Sequence, residues 1–380
     1  MRVLFAIGSM GGGGAERQTL HYLRHLDRSR FTPLLYLHVN RGKLRSQVPA
    51  DVPVLAFCDR QTAPRFNYPG RIQRQQVTDL ALVLDEQQID VLCAITLQLT
   101  LIAGSSTKRR PTPWLAIEMA DPRLSFEDQV GRFGWLKKHL LWHAYRRADR
   151  ALAVSDGVRE GMIQRYGLPA HHIVTLRNFI DIERVDRQAS EAGPQLDLDR
   201  FHIVSVGRLH EQKGHCYLLE AIRELVHQRN LQQLHVHLVG DGPLEHQLRE
   251  TVNRVGLRDH VTFEGFLENP FSFIRRCQLF CFPSLYEGLP LALLEAMACR
   301  VPVVATTCLS GPSEVLADGR FGRLVPPADP AALVEAIQEV VDDYANCQQL
   351  AQAARQHVEE HYSVHIGMER LQKLLSEIAR

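Results

Sequence analysis

Several common signals are missing from this sequence of 380 residues. The eight cysteines stand at 58, 93, 216, 277, 281, 299, 308 and 347 with no Cys-x-x-Cys among them, which argues against a zinc knuckle, a dithiol redox site or a disulfide framework. They read as reduced thiols buried among apolar neighbours in a cytoplasmic protein. Cys277 and Cys281 are the nearest approach to a metal pair, but on a strand they would stand ~13 Å apart at ~3.3 Å per residue. No apolar run approaches the ~18 residues of a membrane span, and Met1–Ile7 is too short an apolar stretch for a signal peptide. Charge of one sign is also missing: 44 Lys and Arg against 43 Asp and Glu leave a net +1, which gives no reason to expect nucleic acid as a partner. An acidic metal pair is wanting too, since Asp197 and Asp199 precede a strand instead of ending one and read as solvated.

What is present is ordinary globular material, 45% hydrophobic and 23% charged, long enough for two domains. Apolar strands alternate with helical stretches. In the first half the strands fall at 2–7, 31–37, 52–57, 91–95, 114–117 and 151–154, with helices over 70–88 and 134–147. Alternation of this kind predicts parallel sheets covered by helices on both faces, with functional residues at the carboxyl ends of strands. Thr96, Glu118 and Ser155-Asp156-Gly157 stand at such ends.

The first strand runs into Gly8-Ser9-Met10-Gly11-Gly12-Gly13-Gly14-Ala15-Glu16-Arg17. No register of this loop satisfies Gly-x-Gly-x-x-Gly/Ala, so a nicotinamide reader is not indicated. Four consecutive glycines still let backbone approach a ligand. In the second half Val206-Gly207-Arg208-Leu209 follows a strand, with Lys213-Gly214 shortly after. These two cations can converge on a diphosphate. Then come Val239-Gly240-Asp241-Gly242-Pro243 and Glu264-Gly265-Phe266-Leu267, each a strand ending in glycine.

The chain reads as organised around Pro283-Ser284-Leu285-Tyr286-Glu287-Gly288-Leu289-Pro290-Leu291-Ala292-Leu293-Leu294-Glu295, a strand that breaks into a glycine turn and re-emerges as a helix. Gly288 is read as supplying special backbone angles and Pro290 as a first-turn residue, so the helix is predicted to begin near Leu289. Its amides and positive dipole end form an anion site. Glu287 and Glu295, roughly 8–12 Å apart at ~1.5 Å per residue, would accept hydroxyls on either side of an extended ligand.

Glu-x7-Glu with Glu-Gly-Leu-Pro inside it, the Val-Gly-Arg-Leu-x-x-x-Lys-Gly string and the Gly-Gly-Ala-Glu-Arg loop together resemble retaining glycosyltransferases of family 4. Asn178-Phe179-Ile180-Asp181 resembles that family's exit from its first domain, and Gly319-x-x-Gly322-x-Leu324-Val325-Pro326-Pro327 closes the pattern. The resemblance implies an α/β fold of two doubly wound Rossmann-like domains facing across a cleft, the GT-B arrangement. Its boundaries would be 1–182 on the acceptor side, a linker at 183–200, a donor domain at 201–360 and a returning helix at 361–380. It implies metal-independent transfer of a sugar from a nucleotide sugar, such as a UDP-sugar or GDP-sugar, to an acceptor hydroxyl in glycan, polysaccharide or glycolipid assembly, with no cofactor.

In that reading Arg208, Lys213 and Glu287 are catalytic. Gly12, Gly13, Gly14, Gly240, Gly242, Phe266, Leu267, Gly288, Leu289, Leu291 and Glu295 bind the donor. On the acceptor side the family's histidine position falls on Met119, with Glu118 and Asp121 as substitutes. The alternatives are a nucleotide-sugar epimerase on the same fold and a non-catalytic nucleotide-sugar or partner-binding relative. Residues 131–150 read as a basic, aromatic, amphipathic helix, either a core helix with a solvated basic face or a peripheral contact with the inner membrane face that Lys108-Arg109-Arg110 would assist. The acceptor would then be lipid-linked.

Overall fold

A computed structural model of the chain describes residues 1–61, 70–124 and 134–379. They divide into two compact units, one of Met1–Asn178 with Val364–Arg380 and the other of Phe179–Ser363.

The first unit carries a parallel sheet of seven strands: β1 (Arg2–Ile7), β2 (Thr32–Leu37), β3 (Val54–Ala56), β4 (Val91–Ile95), β5 (Trp114–Glu118), β6 (Arg150–Ala153) and β7 (Ile173–Thr175). Their order is β3-β2-β1-β4-β5-β6-β7. Near-continuous apolar runs such as Val91-Leu92-Cys93-Ala94-Ile95 bury both faces of each central strand, so helices must cover the sheet on both sides. The helix Val364–Ile378 belongs to this unit and packs on the helix Gly14–His25. Gln372 Oε1 accepts the Asp27 amide at 2.9 Å, and Arg30 donates to Ser376 Oγ at 3.1 Å.

The second unit holds six parallel strands, β8 (Phe201–Val206), β9 (Leu234–Val239), β10 (Val261–Gly265), β11 (Leu279–Phe282), β12 (Val303–Thr306) and β13 (Arg323–Val325), ordered β10-β9-β8-β11-β12-β13. Strand order reverses direction between β8 and β11, as it does between β1 and β4 in the first unit. In open parallel sheets the crevice beyond the strand ends at such a reversal is where ligands bind.

Three sequence expectations are corrected. Residues 183–200 are not a simple linker, because Ile182–Ala189 is a helix. The Asp181 carboxylate caps it by accepting the Arg184 amide at 2.9 Å, and Val185 and Ala189 are buried. Asp186 pairs through both oxygens with the Arg355 guanidinium at 2.7 Å, tying the helix to Tyr344–His361. Apolar residues at 182, 185 and 189 behind an Asp cap were the signal that the polar composition masked. Within 190–200, Gly193, itself part of the second unit, packs tightly on Arg276, whose Nη1 would stand 2.2 Å from a Cβ there.

Arg150, expected to end a helix from 131, instead opens β6; the helix covers Gly134–Arg147, and 131–133 lie outside the described residues. Finally, the cysteines are all free, but Cys58 and Cys216 are exposed.

Candidate active site

In the second unit, the loops after β8 and β11 meet at the reversal point. Gly214, at φ 61°, packs so tightly that a Cβ would lie 2.1 Å from the Pro283 carbonyl oxygen. The Leu285 amide donates to the Gln212 carbonyl at 2.7 Å, and Gln212 Nε2 donates to the Tyr286 carbonyl at 2.8 Å. These contacts carry Lys213 to Glu287. Lys213 Nζ donates to Glu287 Oε1 at 2.5 Å, with 19% and 9% of the two side chains exposed. The ammonium also lies 5.1 Å from the Phe282 ring centroid.

The field of this pair reaches its neighbours. His215, fully buried beside Lys213, is held down to about 3, first by burial and then by the lysine charge. Burial pushes the Cys308 thiol up to about 12, and the Glu287 carboxylate adds to that rise. Arg208, one residue beyond Gly207, is exposed, and its guanidinium has no ion-pair partner among the described residues.

The loop after β9 closes on the same place. Gly240 has φ 137°, and a Cβ on it would stand 1.9 Å from the Gly207 carbonyl oxygen; one on Gly242 would stand 2.3 Å from that of Leu209. Any side chain at either position would push the Arg208 loop away. The Gly240 amide donates to the Gly265 carbonyl at 2.7 Å, which joins the loop after β10, where Phe266 and Leu267 are half-buried.

The helix after β11 starts at Leu291, not near Leu289, with Pro290 as its extended N-cap at ψ 113°. Residues 287–290 are therefore not helical, and the spacing of Glu287 and Glu295 does not follow from the helical rise. Nor does Gly288 adopt a positive φ. The special backbone angle belongs to Gly311, φ 92°, whose absent Cβ makes room for Pro290 Cδ at 2.6 Å and the Gly288 carbonyl at 2.7 Å. Thr306 Oγ1 donates to the Ser284 carbonyl and further braces the turn. Neither Thr306 nor Gly311 was singled out from sequence as a support for this turn, because each acts on a segment roughly twenty residues earlier. Gly288, Leu289, Leu291 and Glu295 are all buried, with Glu295 at the fifth position of the helix.

In the first unit the glycine loop is held by the segment after β2. The Met10 amide donates to the Arg41 carbonyl and the Leu44 amide to that of Met10, both at 3.0 Å. Gly12 has φ 135°, Gly13 caps the helix, and a Cβ on Gly13 would meet Glu16 Oε2 at 2.8 Å. Gly11, Gly13 and Gly14 are exposed. Thr96, directly after β4, is a non-glycine residue at φ 78°, a strained conformation of the kind found at binding sites.

Of the three acceptor-side residues, two are committed internally. Glu118 is 5% exposed and accepts the Tyr145 hydroxyl at 2.6 Å. Burial raises it to about 7 against that hydroxyl and the amides of Ala120 and Met119, which favour the anion. Asp121 is fully buried and paired with Arg123 at 2.6 Å. Both hold the turn after β5 together instead of presenting free carboxylates, which leaves Met119 as the half-buried residue of the three.

Two family models match this chain: that of Glycosyltransferase Family 4 over residues 12–184 and that of Glycosyl transferases group 1 over 200–343. The chain belongs to glycosyltransferase family 4. It is 28% identical to an alpha-D-kanosaminyltransferase of Streptomyces kanamyceticus over 91% of this chain and 82% of that protein. It is 30% identical to the N-acetylgalactosamine-N,N'-diacetylbacillosaminyl-diphospho-undecaprenol 4-alpha-N-acetylgalactosaminyltransferase of Campylobacter jejuni. That alignment takes in 55% of each chain, so this chain spans about half the length of that relative. Among solved structures, Anabaena HepE in complex with UDP-glucose superposes with a TM-score of 0.82 at 22% identity, covering 99% of this chain and 100% of that one. The fold of this family 4 chain is thus that of GT-B glycosyltransferases, with a doubly wound parallel sheet in each unit.

Proposed function

We propose that the chain moves a sugar, with retention and without a metal ion, from a nucleoside diphosphate sugar to a hydroxyl of a glycan or lipid-linked acceptor. The observation that carries this reading is the joining of Lys213 to Glu287 across the reversal between β8 and β11. An ammonium has three N–H donors, and one is on Glu287, so two remain for a diphosphate. Glu287 keeps a second oxygen for a sugar hydroxyl. Arg208 adds a second cation, and the amides of Leu291 to Leu293 add the positive end of a helix. Charge builds on the diphosphate as the anomeric C–O bond breaks, so fixed cations favour the transition state over the bound donor. The acceptor oxygen forms the new bond on the face the diphosphate leaves, and its proton departs on the diphosphate. Glu295 is assigned to the ribose hydroxyls, and the loops at Gly240, Gly242 and Phe266–Leu267 to the rest of the nucleotide. The UDP-glucose complex of HepE makes UDP-glucose the first donor to try, and the undecaprenol in the name of the Campylobacter relative favours a lipid-linked acceptor.

The test is a panel of UDP- and GDP-sugars assayed for nucleotide release with and without acceptor, with the product anomer read by NMR. Arg208→Ala should cut turnover by about 10²-fold or more. Nucleotide release with no need of an acceptor would mark an epimerase or hydrolase, binding without turnover a non-catalytic relative, and an inverted product would overturn retention.

We also propose that the helix Gly134–Arg147 rests on an anionic membrane surface. It buries only Leu141, Ala144 and Tyr145, while Trp135 is 75% exposed and shares the open face with Leu136, Leu140, Lys138, Arg146 and Arg147. Lys108 and Arg109 end a helix, where Arg109 bonds Thr78 and Arg110 pairs with Asp85, so this second basic group is partly engaged. Among the described residues no helix is long and apolar enough to cross a membrane. Replacing Lys138, Arg146 and Arg147 by Gln should weaken sedimentation with phosphatidylglycerol vesicles by about 100-fold, at ~1 kcal/mol per charge. Equal binding to neutral vesicles would refute it.

A further inference from the structure

Three histidines stand side by side on β8 and β9, away from Lys213 and Glu287. His202 is 4% exposed and His237 is 5% exposed. Their nitrogens form a chain: His202 Nε2 to the Asp197 carbonyl oxygen at 2.7 Å, His202 Nδ1 to His237 Nε2 at 2.9 Å, and His237 Nδ1 to Glu264 Oε1 at 2.8 Å. The hydrogens in this chain can be counted. A carbonyl only accepts, so His202 Nε2 carries a hydrogen and, in a neutral ring, Nδ1 does not. His237 Nε2–H then donates to His202, which leaves His237 Nδ1 an acceptor. The last bond needs its hydrogen from Glu264.

The surroundings fix where that hydrogen resides. His235 lies 4.8 Å from His237 between ring centroids. Arg200 Nη1 donates to His235 Nδ1 at 3.0 Å, and His235 Nε2–H donates to Thr262 Oγ1 at 2.8 Å, so this third ring is also neutral. The Arg200 guanidinium, itself 3.5 Å from the Asp197 carboxylate, opposes a positive charge on the neighbouring imidazoles. Phe273 meets His237 edge-on at 4.9 Å, and the buried Cys277 thiol lies within reach of the Glu264 charge. Burial disfavours an imidazolium at His237 and an anion at Glu264 alike, lowering the first to about 4 and raising the second.

We propose that Glu264 is a neutral acid at neutral pH whose single retained proton latches β10 to β9 and β8, making Glu264 a positioning residue for the donor loop. Glu264 precedes Gly265, whose carbonyl receives the Gly240 amide, and Gly240 in turn abuts Gly207 beside Arg208. Losing the proton leaves a carboxylate facing an imidazole lone pair, and below about 4 His237 Nδ1 takes up a proton of its own and no longer accepts, so the latch holds between that value and neutral pH. It opens as pH rises through the raised value of Glu264. Its consequence for nucleotide binding rests on the donor-site reading above; its protonation state does not.

The first measurement is therefore made without nucleotide. Nitrogen-15 NMR of the imidazoles at pH 7 should show His202 and His237 as neutral Nε2–H forms, and Glu264→Gln, whose amide also donates to His237 Nδ1, should leave both spectra unchanged. An imidazolium or an Nδ1–H form at His237 would overturn the proposal. The second is UDP affinity against pH. Wild type should weaken about tenfold on the alkaline side, the effect of one lost hydrogen bond, while Glu264→Gln should bind as wild type at pH 7 and stay flat. The same alkaline decline in both proteins would also overturn it. If UDP binds neither protein at any pH, the donor-site reading fails and the NMR result alone decides the latch.

Discussion

Replacing Lys213 by Met removes the charge opposite Glu287 and keeps most of the stem that lies beside Gly207. Breaking a buried ion pair from one side costs about 3–5 kcal/mol, because the survivor is left charged in a poor solvent. Here Lys213 is 19% exposed and Glu287 9%, so water reaches the site to some degree and a loss of about 2–3 kcal/mol is expected. Glu287→Gln should cost less, about 1 kcal/mol, because the lysine stem can turn its ammonium outward. In the double variant no charge is stranded, and the loss should fall short of the sum of the singles by about 1.5–2 kcal/mol.

The assay can separate the two units. Trp114, Trp135 and Trp142 are the three tryptophans and all lie in the first unit, so their emission is an internal control that these changes leave alone. Hydrogen exchange of the β8 and β11 amides reads the second unit. Additivity within about 0.5 kcal/mol would show that the two side chains are not coupled, and the charge arrangement proposed for the donor site would go with it. Recovery of stability without turnover in the double variant would separate the structural from the catalytic share of the pair.

Two other outcomes are expected. Gly240→Ala should lower the stability of the second unit by ~2–4 kcal/mol and abolish UDP binding, because its Cβ cannot coexist with the Gly207 carbonyl; wild-type behaviour in thermal unfolding and calorimetry would contradict the geometry. Glu118 is raised from 4.5 to about 7, so its stabilising contribution is complete below pH 4.5 and is lost as pH climbs to about 7. The loss is on the order of 3 kcal/mol. Tyr145→Phe should move that window further up, since the hydroxyl favours the anion, and the carboxylic acid band in the infrared follows it directly; titration near 4.5 in both proteins would refute the assignment.

Much of the second unit was legible in advance because its signals are local. The strand, glycine loop and cation at Val206 to Gly214 sit within one stretch of chain, and so do the turn and helix from Pro283 to Glu295. Residues 182–189 were misread for the opposite reason. Only three apolar positions mark that helix, and its strongest attachment, Asp186 to Arg355, crosses 169 positions.

The amino-acid order alone determined where apolar strands end, where glycines allow close approach and which charged residues follow them, since each depends on backbone sterics and side-chain chemistry a few residues either way. Strand order then decided the rest. By setting β8 beside β11 it placed Lys213 against Glu287, and by setting β10 beside β9 it aligned Glu264 with His237. The turn after β5 likewise claimed Glu118 and Asp121 for its own hydrogen bonds, because a buried carboxylate takes whatever donors the packing brings within reach, and no local pattern states which those will be.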